Sequence, residues 1–218
     1  MSAVRVLAVM ALAALFSGCA TAPPPAPERY SLLADVPVAA RPESAAGGVI
    51  RVAPVLAPAW LRGRGICYRL AYHDTARLAT YAESEWAAPV PSMLTQAVED
   101  ALATRGRWRA VIGPGTAARA DLAVRVHLLE LCQTFTAPRT SVVTLQARAT
   151  VTDPADGRVL AQRLFQARRP APTPDAAGGV HAARAAVRVF AGELVRWLAN
   201  GVASGAARAA PGPDTAPP

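Results

Sequence analysis

The chain has 218 residues, which is enough for one domain of ordinary size once its terminal segments are discounted. Its 23 basic residues are all arginine against 15 acidic ones, a formal charge of +8 that suits an anionic membrane surface or an acidic protein partner. Aromatic residues make up only 6% and the arginines are not interleaved with them, so the stacking platform of a single-strand nucleic-acid binder is excluded.

At the N-terminus Arg5 precedes an unbroken apolar run from Val6 to Phe16, followed by Ser17-Gly18-Cys19. This is the pattern of a secretory signal peptide over residues 1–18. The run is shorter than the roughly 20 apolar residues that a spanning helix requires, so cleavage between Gly18 and Cys19 is the expected outcome. Phe16-Ser17-Gly18-Cys19 resembles the bacterial lipobox, which implies that signal peptidase II cuts before a diacylglyceryl cysteine and that acyl chains such as palmitate anchor the protein at Cys19. The residue after the cysteine is Ala20 and not Asp, which in lipoproteins of this kind implies outer-membrane sorting, facing the periplasm. Each buried CH₂ contributes about 0.8 kcal/mol, so several chains anchor without a spanning segment. An exported chain does not normally meet nucleic acid.

Residues 19–46 open with Thr21-Ala22-Pro23-Pro24-Pro25-Ala26-Pro27, a composition that favours extended, semi-rigid backbone and reads as a tether. Within it Tyr30-Ser31-Leu32-Leu33 is apolar enough to dock as an early edge strand. The domain itself is expected over 47–200. Val49 to Val55 and Ile66 to Tyr72 read as strands, the second with Ile66, Tyr68, Leu70 and Tyr72 alternating with Cys67, Arg69 and Ala71. From Pro91 to Arg105, Leu94, Ala97, Val98, Ala101 and Leu102 recur at helical spacing, and Gly106 is the stop. Leu122 to Leu128 and Val143 to Val151 alternate as strands. Asp156-Gly157 then turns the chain into Val159 to Ala167, completing an antiparallel meander. Val180, Ala183, Val187, Phe190, Leu194 and Leu198 form one helical stripe, with Arg184, Arg188 and Arg196 on another face. Residues 201–218 are Ala, Gly and Pro with few large apolar groups and are expected to be disordered. The order strand, strand, helix, three strands, helix predicts an α+β domain whose mixed, mostly antiparallel sheet is covered on one side by two helices.

Cys67 and Cys132 enter an oxidising compartment as a pair, which predicts a disulfide. The alternation argues the other way. Cys67 shares a strand face with Arg69, whereas Cys132 continues the phase of Leu122 to Leu128, so the two thiols meet only if a twist or bulge intervenes. Trp86 and Trp197 sit where they would fix helix to sheet. Trp60 lies in an inter-strand loop with Arg62 and Arg64, a combination that suits contact with a partner or membrane, with ordinary packing as the alternative. No nucleophile elbow, phosphate-cradling loop or His-Glu-x-x-His pair occurs. His73, His127 and His181 lack neighbours at metal-ligand spacing, so no catalytic set, metal or cofactor is expected.

The ordered pieces also carry a family resemblance over roughly residues 30–198. They are the lipobox Cys19, Tyr30-Ser31-Leu32, Ile50-Arg51-Val52 through Ala59-Trp60-Leu61-Arg62 to Ile66-Cys67-Tyr68-Arg69, then Tyr81, Trp86-Ala87-Ala88-Pro89, the Leu122 to Phe135 strand and Arg196-Trp197-Leu198. The chain resembles the ABC-type transport auxiliary lipoproteins, typified by paraquat-inducible protein C. That resemblance implies a non-enzymatic accessory subunit of an intermembrane lipid transport system. Its implied partners are an MCE-type protein bridging the periplasm and, with it, an inner-membrane permease and ATPase. A lipid carrier with its own cavity and an assembly pilot for another envelope complex are the alternatives.

Overall fold

The computed structural model describes residues 26–33 and 47–206, the last six of these as backbone only. The signal peptide, Cys19, most of the tether and residues 207–218 lie outside the described residues.

The elements run β1 (Glu28–Tyr30), β2 (Gly47–Val52), a 3-10 turn (Ala59–Leu61), β3 (Gly65–Leu70), β4 (Ala79–Trp86), α1 (Val90–Arg105), β5 (Trp108–Ile112), β6 (Leu122–Ala137), β7 (Thr140–Thr152), β8 (Val159–Pro170) and α2 (Ala176–Ala206). All eight strands belong to one open, mixed sheet. Its trunk is the antiparallel meander β6-β7-β8, which supplies the two longest ladders. The turn into β8 needs a positive φ at Gly157, 75°, which glycine adopts without a Cβ penalty.

The free edge of β6 is shared by two strands in sequence. β2 pairs parallel with its start, Ile50 opposite Leu122, and β3 pairs parallel with its end, Tyr68 opposite Gln133. Between them Leu56 bridges His127, with Leu56 N–H donating to Val126 O at 3.0 Å, so the chain follows one edge throughout. The sheet then forks into one arm carrying β5 on β2 and another carrying β4 and β1 on β3.

Both helices lie on one side. The α2 stripe expected from spacing is buried throughout, from Val180 to Leu198. It packs on β7, where Ala147 and Ala149 present no more than a methyl and let the helix come close. Each buried Leu or Phe of the stripe contributes about 1.5–3 kcal/mol. α1 starts with Pro91 in its first turn and ends as Gly106 N–H bonds Leu102 O at 3.0 Å. Thr95 Oγ ties it to the sheet by accepting from Val55 N–H at 3.0 Å.

Three differences from the periodicity reading have physical causes. β3 stops at Leu70, because His73 and Asp74 N–H turn back to Leu70 O, and this leaves Tyr72 nearly half exposed. β4 carries few large apolar residues and β5 is only five residues long without a clean alternation, and they exist by pairing with β3 and β2. α2 continues through Ala206, beyond the Asn200 end of the expected domain.

Candidate functional site

The loop between β2 and β3 is set by two prolines, Pro54 and Pro58, which end β2 and start the 3-10 turn. Leu61 is buried and pins the turn, so its neighbour Trp60 is pushed outward and is 44% exposed. Arg62 is exposed beside it. Arg64 is differently employed: its guanidinium donates to Ala87 O and lies 3.8 Å from the Glu85 carboxylate. Its carbonyl accepts from Trp86 N–H at 2.7 Å. Glu85 also accepts from Arg29 Nε at 2.9 Å, and β1 pairs alongside, Tyr30 opposite Trp86. The structure therefore brings the Trp60 loop together with the point where the N-terminal segment joins the domain. Tyr30 and Leu32 dock there, Leu32 fully buried.

Trp86 is buried at the end of β4. Trp197 meets Phe165 edge-on at 5.6 Å, and Phe165 meets Phe190 at 5.5 Å, so this tryptophan helps hold α2 to β8.

Cys67 and Cys132 are joined, Cα atoms 4.8 Å apart, across the β3–β6 pairing. The register of β6 shifts between Leu128 and Glu130, and this bulge turns Cys132 to the face that carries Cys67. Arg69 and Glu130 form an ion pair at 3.7 Å on the same face. The same shift points Gln133 inward under α2. Its carbonyl oxygen accepts from Tyr81 O–H at 3.0 Å and its amide donates to Ser141 Oγ at 2.9 Å. Gln133 and Ser141 are buried, and Gly179 of α2 leaves the room that a side chain would take from the Gln133 oxygen. Burial, with lesser contributions from Asp175 and Tyr68, pushes the Tyr81 phenol up to about 12. The hydrogen bonds of Asp175 with Gly178 N–H and Thr173 O–H hold its carboxyl below the usual range as it caps α2. Spacing alone hid this polar cluster, because Gln133 gives no sign of burial until the bulge is known.

The three histidines are dispersed: His73 in the turn after β3, His127 on β6 and His181 on α2, all exposed. Among the described residues no three His, Cys, Asp or Glu groups converge as metal ligands. A depression of about 220 Å³ opens beside His73, Asp74 and Arg77, and a groove of about 50 Å³ runs between α1 and α2 under Leu32 and Leu33. The first is open and partly polar, and the second is far below the several hundred Å³ of a typical apolar ligand cavity. No helix among the described residues is long and apolar enough to cross a membrane.

The model of the ABC-type transport auxiliary lipoprotein component matches residues 30–195. Among solved structures the chain is similar to protein XCC0632 from Xanthomonas campestris, at 23% identity and a TM-score of 0.70, covering 82% of this chain and 99% of that one. It is also similar to the crystal structure of an uncharacterized protein, at 14% identity and a TM-score of 0.62, covering 80% and 99%. At these identities the likeness shows the fold. Among curated proteins no relative matches.

Proposed function

Because this chain belongs to the ABC-type transport auxiliary lipoprotein family, we propose that it is a non-enzymatic accessory subunit of an MCE/ABC-type intermembrane lipid transport system. It is anchored by acylated Cys19 in the outer membrane, faces the periplasm, and binds the MCE-type bridging protein that works with an inner-membrane permease and ATPase. The observation that carries this reading is the family match across nearly all of the folded region, residues 30–195. The site supports it in a second way. Trp60 and Arg62 are exposed on a loop buttressed by Arg64, Glu85 and Arg29, directly where the tether enters. Tryptophan and arginine are both enriched at the hot spots of protein interfaces.

Tethering lowers what the contact itself must supply. A short connector raises the local concentration of a docking domain to about millimolar, so a modest affinity suffices. Co-purification from detergent-solubilised membranes at native expression and low salt tests the reading. Recovery with an MCE-type protein, weakened by Trp60→Ala, is the expected result; recovery without any such protein counts against it and favours an assembly pilot.

A further inference from the structure

The face of the sheet turned away from α1 and α2 is organised in rows by strand register. Leu56, His127, Arg148 and Leu164 lie side by side across β6, β7 and β8 and the bridge residue beside β6, because Leu56 bridges His127, His127 pairs with Arg148 and Arg148 with Leu164. That they face outward follows from their neighbours: Ala147, Ala149 and Phe165, one residue away, are buried under the helices. Arg125 stands in the next row, opposite Thr150, and Arg168 further along, opposite Thr144. Arg125, Arg148 and Arg168 are exposed, and among the described residues none has an ion-pair partner. The carboxylate in these rows, Glu130, is engaged by Arg69.

Three unneutralised guanidiniums on a rigid sheet repel one another and call for an anionic counter-surface. The apolar residues on this face narrow the choice. Leu56 and Leu164, 48% and 58% exposed, end the row that holds His127 and Arg148 between them. Cations flanked by single leucines match interfacial binding, in which the charges meet headgroups and the aliphatic tips enter the headgroup layer. A protein hot spot sets its arginines beside Trp or Tyr anchors, as at Trp60 and Arg62, and these rows contain no aromatic anchor of that kind. The connector from Cys19 to Glu28 spans at most about 30 Å when fully extended, and β1 belongs to this same sheet.

We infer that this face, which no helix among the described residues covers, docks on an anionic phospholipid surface, laying the domain flat on the membrane that holds its anchor. The inference rests on the lipid-anchor reading, so its test must separate the two. The mature acylated protein carries its other cysteines in a lipid linkage or a disulfide, so a fluorophore on Gln166→Cys, on this face, or on Arg196→Cys, on α2, reports one side at a time. The probes are vesicles of phosphatidylglycerol mixed with phosphatidylcholine and vesicles of phosphatidylcholine alone, each with a quencher on the headgroups. Flotation with both vesicles reports the anchor. Quenching at position 166 but not 196, only with phosphatidylglycerol and reversed by salt, reports the docked face. Each arginine near an anionic surface changes the docked-to-free ratio about five-fold, so Arg125→Gln with Arg148→Gln and Arg168→Gln should abolish the quenching while flotation persists. Equal emission at 166 on both vesicles, or quenching retained in the triple variant, overturns the inference. So does a label that ignores phosphatidylglycerol yet responds to protein-bearing envelope membranes, an outcome that assigns the face to an acidic protein. Failure to float with either vesicle overturns the anchor and the docking together.

Discussion

Cys67 and Cys132 lie on the same face of the sheet because the bulge between Leu128 and Glu130 reverses the phase of β6 halfway along its length. Up to Leu128 the even-numbered side chains are buried under the helices; after it the odd-numbered Leu131 and Gln133 are. The bridge then fastens the arm made of β3, β4 and β1 to the trunk, and with it the Trp60 loop and the docking strand of the N-terminal segment.

A bridge closing a sequence separation of 65 constrains the unfolded chain and is expected to stabilise the fold by about 3–4 kcal/mol. Cys67→Ser with Cys132→Ser should lower the unfolding free energy by about that amount, read as a lower denaturation midpoint at unchanged m-value, and reductant should do the same to the wild type. Alkylation of the unfolded, non-reduced protein should find neither thiol free. A midpoint that ignores reductant would sink the prediction.

Gly179→Ala is expected to be costly for a glycine-to-alanine change in a helix. The new methyl would overlap the Gln133 carbonyl oxygen, which is backed by Tyr81 and Ser141 and cannot withdraw into solvent. Breaking this cluster should cost about 1–3 kcal/mol, measured by chemical denaturation. Gly115→Ala, where nothing stands within 4 Å, is the control and should leave stability nearly unchanged.

Tyr81 makes stability fall in alkali. Its folded phenol titrates at about 12, above its ordinary value of 10.0, so the folded state favours the neutral form. The unfolded state therefore releases its proton first. The stabilisation is fully present below pH 10 and is lost as pH rises through the window from about 10 to about 12. Tyr81→Phe should flatten this alkaline decline while losing the hydrogen bond to Gln133, and tyrosinate absorbance should show one late-titrating phenol fewer. A decline identical in the variant would show that another group is responsible.

The anchor is checked at the N-terminus of the mature protein. Mass spectrometry should find a chain that begins at an acylated Cys19, and Cys19→Ala should leave the precursor uncleaved or release the protein from the membrane fraction. A soluble mature chain with an unmodified cysteine would be the contrary result.

What local sequence determined is whatever a short window of periodicity can encode. The alternation of Leu122 to Leu128 and of Val143 to Val151, and the stripe from Val180 to Leu198, each state which side chains are buried without reference to the rest of the chain. They gave an α+β sheet with two helices on one side, and both tryptophans expected to pack do so. The exposure of Trp60 was not settled locally, since its neighbour Leu61 in the same loop is buried and only the fold decides which of the two packs. Tertiary structure alone decided the rest. β5 is held by β2 and the far edge of β4 by β1, partners distant in sequence, and β2 and β3 share one edge of β6 through parallel pairings that no local pattern announces. A bulge adds one residue yet reverses the facing of every side chain beyond it, because the strand period is two. For that reason the apposition of Cys67 with Cys132 and the burial of Gln133 were settled by the ladder between β6 and β7, a relationship between two strands.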